Sequence, residues 1–268
     1  MRYSFTGKTV ILTGASSGIG RSLALRLIRD YDCTVIAIAR NEQRLYKVRD
    51  ELDSLSAKYI PHPFDVSKKE SWQNLALELE KSSTYPDILI NCAGVLPKFH
   101  SGQSSDEIQR IFDINFFSQV YSAEAMLPLL KANGCGAIIN ISSSSALCPF
   151  AGVSAYCASK SASERYTAAL SCESELFVAC VMPGFTKTDI MVNQGASDKD
   201  ARLFNKISSD TEKVVSTMLR RLKRGKRRII IGADAHMMNL LFKFFPRSAP
   251  RLITSFLKKT GLEIFREI

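Results

Sequence analysis

Two side chains four residues apart, Tyr156 and Lys160, could together transfer a proton. They lie in a run without Pro or Gly, from Ser154 to Leu170, that we predict to be a helix, and residues four apart share a helical face. A phenol with its ordinary pKa of about 10 is a poor base at neutral pH. A neighbouring ammonium favours the phenolate and lowers the phenol pKa toward the working pH. Such a pair also occurs in many surface helices, so the remaining sequence decides its meaning.

A glycine-rich turn near the N-terminus has the composition of a phosphate-binding loop. It follows a predicted strand that ends at Thr13, precedes a predicted helix, and consists of Gly14, Ala15, Ser16, Ser17, Gly18, Ile19 and Gly20. Glycine lets the backbone approach a phosphate closely, and the helix N-terminus offers free N–H groups to an anion. The context is that of a dinucleotide fingerprint, although the spacing is Gly-x-x-x-Gly-x-Gly. A plain turn with a helix cap is the alternative.

The end of the second predicted strand bears on the choice of cofactor. An acidic residue about 20 positions beyond the glycines would hold the ribose 2′-hydroxyl of NAD. Here Ala39 and Arg40 occupy that place, and Arg44 follows one helical turn later. A guanidinium suits a 2′-phosphate, so the sequence favours NADP(H). Alternatively, Arg40 is a solvated loop charge.

Two further strand ends carry candidate cofactor contacts. Asp65-Val66 ends the third strand, and Asp65 could either meet an adenine amino group or cap the helix that begins near Ser67. The fourth strand ends in Asn91-Cys92-Ala93-Gly94. Its small residues would let a cofactor lie over the sheet edge, and Asn91 could tie neighbouring strands together.

Apolar segments with strand character alternate with helical patterns along the chain, which predicts a Rossmann-type, doubly wound parallel α/β sheet. We expect about seven strands with helices on both faces, at residues 8–13, 33–39, 58–64, 87–90, 136–141, 177–181 and 228–232. The candidate residues fall at carboxyl ends of strands, where ligands bind in such sheets. Asn115 falls inside a predicted helix from Ser105 to Leu130, where asparagine is mildly unfavourable and needs a reason.

Composition indicates one domain, residues 1–268, within which residues 190–268 form a substrate lid and a C-terminal apolar and basic extension. The 268 residues are 46% hydrophobic and 23% charged, ordinary globular values. The N-terminus lacks a signal-peptide core, and no apolar run approaches the ~18 residues of a spanning helix. The seven cysteines form no Cys-x-x-Cys pair, which favours reduced thiols and a cytoplasmic location. Three scattered histidines give no metal-ligand spacing, so we expect no metal.

Two basic regions account for much of the formal charge of +10. Residues 220–228 could be a nucleic-acid or membrane patch, but we favour a helix C-terminus that starts with a Ser209-x-x-Glu212 capping box and stops at Gly225. The region lacks interleaved aromatic residues, so we expect no nucleic-acid partner. Residues 237–259 combine Met, Leu and Phe with Lys and Arg. They could contact a membrane surface. Alternatively, they pack on a partner subunit or over the substrate pocket, and we slightly favour this second alternative.

Taken together, these motifs resemble the short-chain dehydrogenase/reductase family from about Phe5 to Asp189. The turn from Thr13 to Gly20 resembles its phosphate-binding loop, and Asn91-x-Ala93-Gly94 resembles its Asn-Asn-Ala-Gly element with Cys92 in place of the second Asn. The family's catalytic tetrad is matched by Asn115, Ser143, Tyr156 and Lys160. Its nicotinamide-contacting segment is matched by Pro183, Gly184 and Thr188.

The resemblance implies a mechanism and a substrate class. Ser143 would donate a hydrogen bond to a substrate carbonyl, Tyr156 would deliver the proton, and Lys160 would lower the tyrosine pKa and bind the nicotinamide ribose. Asn115 would hold a water that links Lys160 to solvent. We expect an NADPH-dependent carbonyl reductase or alcohol dehydrogenase, a homodimer or homotetramer, acting on an apolar, lipid- or steroid-like ketone or secondary alcohol. The alternative is a noncatalytic dinucleotide-sensing or scaffold protein on the same fold.

Overall fold

One parallel sheet of seven strands organises the part of the chain that this computed structural model describes, residues 3–97, 102–134, 136–187 and 208–260. The strand order is β3-β2-β1-β4-β5-β6-β7, which confirms the predicted doubly wound sheet. The strands are β1 (Thr9–Thr13), β2 (Thr34–Ala39), β3 (Tyr59–Pro63), β4 (Ile88–Asn91), β5 (Ala137–Ile141), β6 (Phe177–Pro183) and β7 (Arg228–Ile231). The order reverses between β1 and β4, and ligands bind in the crevice at such a point.

Helices cover both faces of the sheet, as predicted. Successive strand residues point to opposite faces, so Val10 and Leu12 of β1 lie in one buried core and Ile11 in the other. The described α-helices are α1 (Gly18–Tyr31), α2 (Glu42–Asp50), α3 (Lys69–Lys81), α4 (Ser105–Phe112), α5 (Ser118–Ala132), α6 (Ser154–Glu173), α7 (Thr211–Lys223), α8 (Ala233–Phe244) and α9 (Ala249–Lys259). The edge position of β3 explains how it accommodates Pro61 and Pro63, which cannot donate to a neighbouring strand.

The helix predicted from Ser105 to Leu130 is interrupted by a π-helical segment, Asp113–Phe117, between α4 and α5. A π-helical segment leaves backbone carbonyls without their regular helical partners, and side chains supply substitutes here. The Ser118 hydroxyl donates to the Ile114 carbonyl at 2.7 Å, and the Gln119 amide donates to the Asn115 carbonyl at 3.1 Å. The predicted single helix is therefore two α-helices joined by a partnered π turn.

The basic stretch at residues 220–228 ends a helix, as we favoured, because α7 stops at Lys223 and Gly225 has a φ of +76°. The predicted capping box is wrong, since Asp210 is the N-cap and accepts from the N–H groups of Glu212 and Lys213. Ser209 instead lies in a short bridge with Thr186. Several cations of this stretch have partners: Arg221 with a carbonyl of β7, Arg228 with Glu164, and Lys223 and Arg227 with the rings of Tyr31 and Phe177.

Two predictions fall outside the described residues, namely the substrate lid, which we expect at residues 191–207 of the segment 190–268, and the cofactor contact of Thr188. Among the helices that the structure does describe, none combines the length and the apolar character needed to cross a bilayer.

Candidate active site

A buried polar ladder fixes the strands from which the site is built. Asn91 at the end of β4 donates to the Asn140 side chain of β5 at 2.9 Å, so the predicted tie between strands is present. Ser122 of α5 donates to Asn91, and Asn140 donates to Thr167 of α6, each at 2.9 Å. Because Asn91 and Asn140 are opposite each other in adjacent strands, the ladder joins α5 and α6 on one face of the sheet and fixes the register at which β4 and β5 end.

The glycine turn fits a dinucleotide phosphate. Gly14 has a φ of +69°, and a Cβ there would lie 3.0 Å from the Ala93 backbone nitrogen. A Cβ at Gly20 would overlap the Gly14 carbonyl. The turn is thus packed so tightly that only glycine fits at both places, while Ser16 to Ile19 stay partly exposed. The N-cap of α1, Ser17, makes no side-chain cap, so the helix N–H groups remain available to an anion.

Thr13 joins this turn to the next strand end. Its buried hydroxyl accepts hydrogen bonds from the N–H groups of Cys92 and Ala93, both at 2.9 Å. The predicted cofactor residues at the ends of β1 and β4 therefore form one connected unit. Cys92 takes part through its backbone, which explains how it can replace the asparagine of the resembled motif.

Gly94, Asn115 and Lys160 meet at one point. A Cβ at Gly94 would lie 3.3 Å from both the Asn115 Oδ1 and the Lys160 Nζ atoms. Asn115 accepts from the Val95 N–H at 2.8 Å and donates to the Val95 carbonyl at 2.9 Å and to Ser159 at 3.1 Å. The asparagine thus pins the segment after β4 to the helix that carries Tyr156 and Lys160, which gives it a structural task.

Lys160 is buried beneath this junction. Its residue is 4% exposed, and its ammonium donates to the Ile141 carbonyl at the end of β5 at 3.0 Å. Burial lowers the pKa of Lys160 to about 8, because desolvation disfavours the charged form, while the neighbouring Cys92 and Cys180 act in the opposite direction. The lysine ammonium lies 5.9 Å from the centre of the Tyr156 ring.

Tyr156 meets Ser143, but its pKa moves in the direction opposite to the sequence expectation. Burial of the phenol oxygen raises the pKa of Tyr156 to about 12, which outweighs the lowering effect of a hydrogen bond with Ser143. Part of the tyrosine side chain remains exposed. The Ser143 hydroxyl also accepts from the Ser145 N–H at 3.2 Å, which helps to orient it. The phenol is therefore protonated at neutral pH and can act as a proton donor.

The residues that we predict to contact the adenosine part of a cofactor follow β2 and β3. Arg40 follows β2 and Arg44 lies in the first turn of α2, and both are exposed. Asp65 accepts from the N–H and the hydroxyl of Ser67 at 3.0 and 2.8 Å and so closes the turn before α3. It does not cap that helix, which begins at Lys69 and whose N-cap, Lys68, makes no side-chain cap. Burial raises the pKa of Asp65, but the Ser67 hydrogen bonds and the Arg40 charge outweigh it, and the net shift is downward.

Val66 is the other predicted cofactor residue after β3. Its side chain is buried, and its backbone carbonyl accepts a hydrogen bond from the Trp72 indole at 3.0 Å.

Asp234, a residue that sequence reasoning missed, holds the segment of Pro183 and Gly184. Its carboxylate accepts from the Phe185 N–H at 2.7 Å, and a Cβ at Gly184 would overlap both carboxylate oxygens. No local motif marks this aspartate, because its partners lie at the end of another strand.

Gln103 is a second contact that sequence reasoning missed. Its side-chain oxygen accepts from the Ala155 N–H at 3.0 Å and from the Ser154 hydroxyl at 3.2 Å, at the start of α6. It thereby supplies the cap that the N-cap residue of this helix, Val153, lacks. Gln103 comes directly before the capping box of α4, so the local sequence pattern indicates the start of α4 and not a contact with α6.

An apolar cluster packs against Tyr156. Tyr156 and Phe185 pack on buried side chains from the loop after β4, the segment before α6, and α8 and α9; these are Leu96, Cys148, Phe150, Val153, Cys157, Met238, Ala249, Ile253 and Leu257. Beside the cluster, a groove of about 730 Å³ runs between α6 and α9, and Arg251 and Lys258 line one side of it. Tyr156 and Lys160 do not line this groove.

Known proteins are similar to this chain in sequence and in fold. A family model described as short chain dehydrogenase matches residues 8–199. SadH of Mycobacterium tuberculosis, named as an oxidoreductase, is 30% identical over 267 residues, covering 94% of this chain and 96% of that protein. A short-chain dehydrogenase from Sphingobium yanoikuyae in complex with NADPH is 25% identical, with a TM-score of 0.72, over 95% of this chain and 94% of that one. One from Burkholderia phymatum in complex with NAD is 20% identical, with a TM-score of 0.80 over 94% and 96%.

Proposed function

Because this chain belongs to the short-chain dehydrogenase family, whose members are NAD(P)-dependent oxidoreductases, we propose that it is an NADPH-dependent carbonyl reductase or alcohol dehydrogenase. Its substrate is an apolar ketone or secondary alcohol, lipid- or steroid-like in character. Residues 1–268 form one catalytic domain. The observation that carries this proposal is the contact of Ser143 with Tyr156 above the buried ammonium of Lys160, at the carboxyl ends of the strands.

Each catalytic side chain has a role that its surroundings support. The Ser143 hydroxyl, turned by the Ser145 N–H, donates to the substrate carbonyl oxygen. Tyr156 keeps its proton at neutral pH and gives it to that oxygen as the carbonyl is reduced. The ammonium of Lys160 stabilises the phenolate that remains, and Asn115 holds the loop after β4 against α6. A nicotinamide cofactor supplies the hydride.

The glycine turn binds the phosphates of the cofactor. Gly14 and Gly20 allow the turn to pack tightly between β1 and α1, and the first turn of α1 offers N–H groups to the pyrophosphate. Thr13, Ala93 and Gly94 line the crossing between β1 and β4, and Pro183 with Gly184 borders the nicotinamide.

Preference for NADPH over NADH rests on Arg40 and Arg44. Both guanidinium groups are exposed at the end of β2 and the start of α2, where the adenosine ribose lies in this fold. A 2′-phosphate would accept charge-assisted hydrogen bonds from them. The similar solved structures hold either cofactor, so the arginines of this chain carry the preference.

The apolar substrate class rests on the cluster beside Tyr156. Leu96, Phe150, Val153 and Met238 are buried in the cluster against which Tyr156 and Phe185 pack. A polar substrate would lose hydration there without gaining partners, whereas an apolar one gains from burial. The proposal also includes a homodimer or homotetramer in the cytoplasm.

A screen of ketones and alcohols that follows NADPH absorbance tests the activity. We expect turnover of apolar ketones, and Tyr156→Phe should lower it by about 10²–10⁴-fold with nearly unchanged NADPH affinity. Tyr166→Phe, a matched change on the same helix, should leave turnover near the wild-type value. NADPH binding without turnover of any substrate, or a Tyr156→Phe variant as active as wild type, would favour the sensor or scaffold alternative.

A further inference from the structure

Helix α8 leaves an apolar stripe exposed. Met237, Leu240 and Phe244 are 45%, 53% and 66% exposed, and their spacing places them along one side of the helix. Ala235 and Met238, on the other side, are buried. The helix is thus apolar on both sides, and only one side is needed to pack on the protein.

The exposed apolar surface continues beyond α8. Phe245 follows the helix, and Leu252 and Phe256 lie on α9, with exposed fractions of 58%, 55% and 57%. Of the eleven large apolar side chains exposed in the described residues, six lie between residues 237 and 256. Single exposed apolar residues are ordinary, whereas a concentration of this kind marks an interaction surface.

The same region is strongly cationic. Between Asp234 and Glu263 the sequence contains no acidic residue. It contains five exposed cations, Lys243, Arg247, Arg251, Lys258 and Lys259. Among the described residues none of the five forms an ion pair, in contrast to Arg228, which pairs with Glu164. The six apolar side chains and these five cations together form what we term the C-terminal face.

Charge and packing decide between the possible occupants of the C-terminal face. The opposite sides of the two helices are already packed in the core cluster beside Tyr156, through Met238, Ile253 and Leu257. A second copy docked by a two-fold axis would oppose the face to itself and bring like charges together. An anionic membrane surface satisfies both components, since apolar side chains enter the acyl boundary and cations meet lipid headgroups.

We propose that the C-terminal face docks on an anionic membrane surface, with α8 and α9 lying in the plane of the interface. Pro246 lies between the two helices and Pro250 in the first turn of α9, and neither helix is long enough to span a bilayer. This docking is independent of catalysis. If the proposed function holds, it also places a source of apolar substrate beside the helices that wall the Tyr156 cluster.

Vesicle cosedimentation of the full chain tests the docking. The probes are vesicles of phosphatidylcholine alone and of phosphatidylcholine with phosphatidylglycerol, at low and high salt. We expect binding to the anionic vesicles, release at high salt, and little binding to the neutral ones. A triple variant, Met237→Ser, Leu240→Ser and Phe244→Ser, should bind at least tenfold more weakly. Leu77→Ser, at an equally exposed position of α3 (53%), is the matched control and should bind like wild type.

A second variant tests the cations separately. Arg251→Gln, Lys258→Gln and Lys259→Gln together should weaken binding and flatten its salt dependence, whereas Lys47→Gln on α2 should not. NADPH affinity should stay normal in all variants, so failure of docking is distinguishable from failure of the proposed function. The proposal is overturned if the wild type stays in the supernatant or if both variants bind normally. It is also overturned if the triple variant changes only the oligomeric state in gel filtration, which would identify a second copy as the occupant.

Discussion

The carboxylate of Asp234 lies directly against the backbone of Gly184, although the two residues are far apart in the chain. Asp234 belongs to the first turn of α8 and accepts a hydrogen bond from the Phe185 N–H at 2.7 Å. The start of α8 therefore fixes the loop after β6, which we propose borders the nicotinamide.

Removal of this carboxylate should weaken cofactor binding. A hydrogen bond to a charged group contributes about 1.5–3 kcal/mol, so Asp234→Ala should raise the Kd for NADPH by about one to two decades. Asp234→Asn keeps an acceptor and should lose less. Titration of the protein fluorescence with NADPH measures the effect.

Asp87 offers a matched control for that prediction. Its carboxylate likewise accepts a backbone N–H, that of Thr9 at 2.9 Å, but at the amino end of the sheet. Asp87→Ala should therefore lower the stability to unfolding with normal NADPH affinity. If Asp234→Ala and Asp87→Ala have the same NADPH affinity, Asp234 does not position the loop after β6 for cofactor binding.

The buried Lys160 should leave a signature in the pH dependence of stability. Its pKa is lowered to about 8 in the folded protein from an ordinary value of 10.5. Between these values the unfolded chain holds a proton that the folded protein has lost, so folding becomes more favourable as pH rises. The cost of burying the charge is complete below pH ~8 and disappears toward pH ~10.5, with a slope of about 1.4 kcal/mol per pH unit.

Comparison with Lys160→Met isolates this contribution from the other titrating groups. Urea unfolding from pH ~7 to ~10 should show the stability of wild type rising relative to the variant above pH ~8. Lys47→Met, which removes an exposed lysine of α2, should give a curve parallel to wild type. Parallel curves for wild type and Lys160→Met would contradict the lowered pKa.

Sequence reasoning succeeded where the determinants are local. Apolar segments alternating with helical patterns determine a parallel sheet, and the residues that end each strand then share one edge. The prediction that Asn91 ties neighbouring strands together is confirmed, because its side chain at the end of a buried strand has Asn140 as its partner. Thr13, Gly14 and Gly20 likewise lie together because a tight strand–turn–helix leaves few alternatives.

The features that the sequence missed depend on contacts distant in the chain. The π turn around Asn115 exists because its side chain binds Val95 and Ser159, which no helical pattern contains. The pKa of Tyr156 rises because burial outweighs its neighbours, and the extent of burial follows from packing with α8 and α9. Spacing along α6 predicts which groups meet but not how much water surrounds them.

The Asn91–Asn140 pair should behave as one energetic unit. Loss of one partner leaves the other buried and unpaired, which costs about 1–3 kcal/mol, so Asn91→Ala and Asn140→Ala should each be destabilising. The double variant should cost clearly less than the sum of the two. Urea unfolding of the four proteins measures the coupling.

The control cycle combines Asn91→Ala with Asn41→Ala. Asn41 caps α2 by accepting from the Arg44 N–H and shares no hydrogen-bond partner with Asn91, so these two effects should add. Additivity in the Asn91–Asn140 cycle as well would contradict the proposed unit.

Arg40 should decide the choice between the two nicotinamide cofactors. Its exposed guanidinium faces no stronger partner among the described residues than the charge of Asp65, so it is available to a 2′-phosphate. Arg40→Asp removes a charge-assisted contact worth about 1.5–3 kcal/mol and introduces repulsion, which should cut NADPH affinity by one to two decades or more. NADH, which lacks the phosphate, should lose little, so the ratio of the two kcat/KM values should flatten or reverse. Arg49→Asp tests a general charge effect, because this nearby arginine, on α2, lies over the Tyr46 ring instead. Equal affinities of the wild type for NADPH and NADH would show that Arg40 does not bind the 2′-phosphate. The same conclusion would follow if Arg49→Asp changed the ratio of the two kcat/KM values as much as Arg40→Asp does.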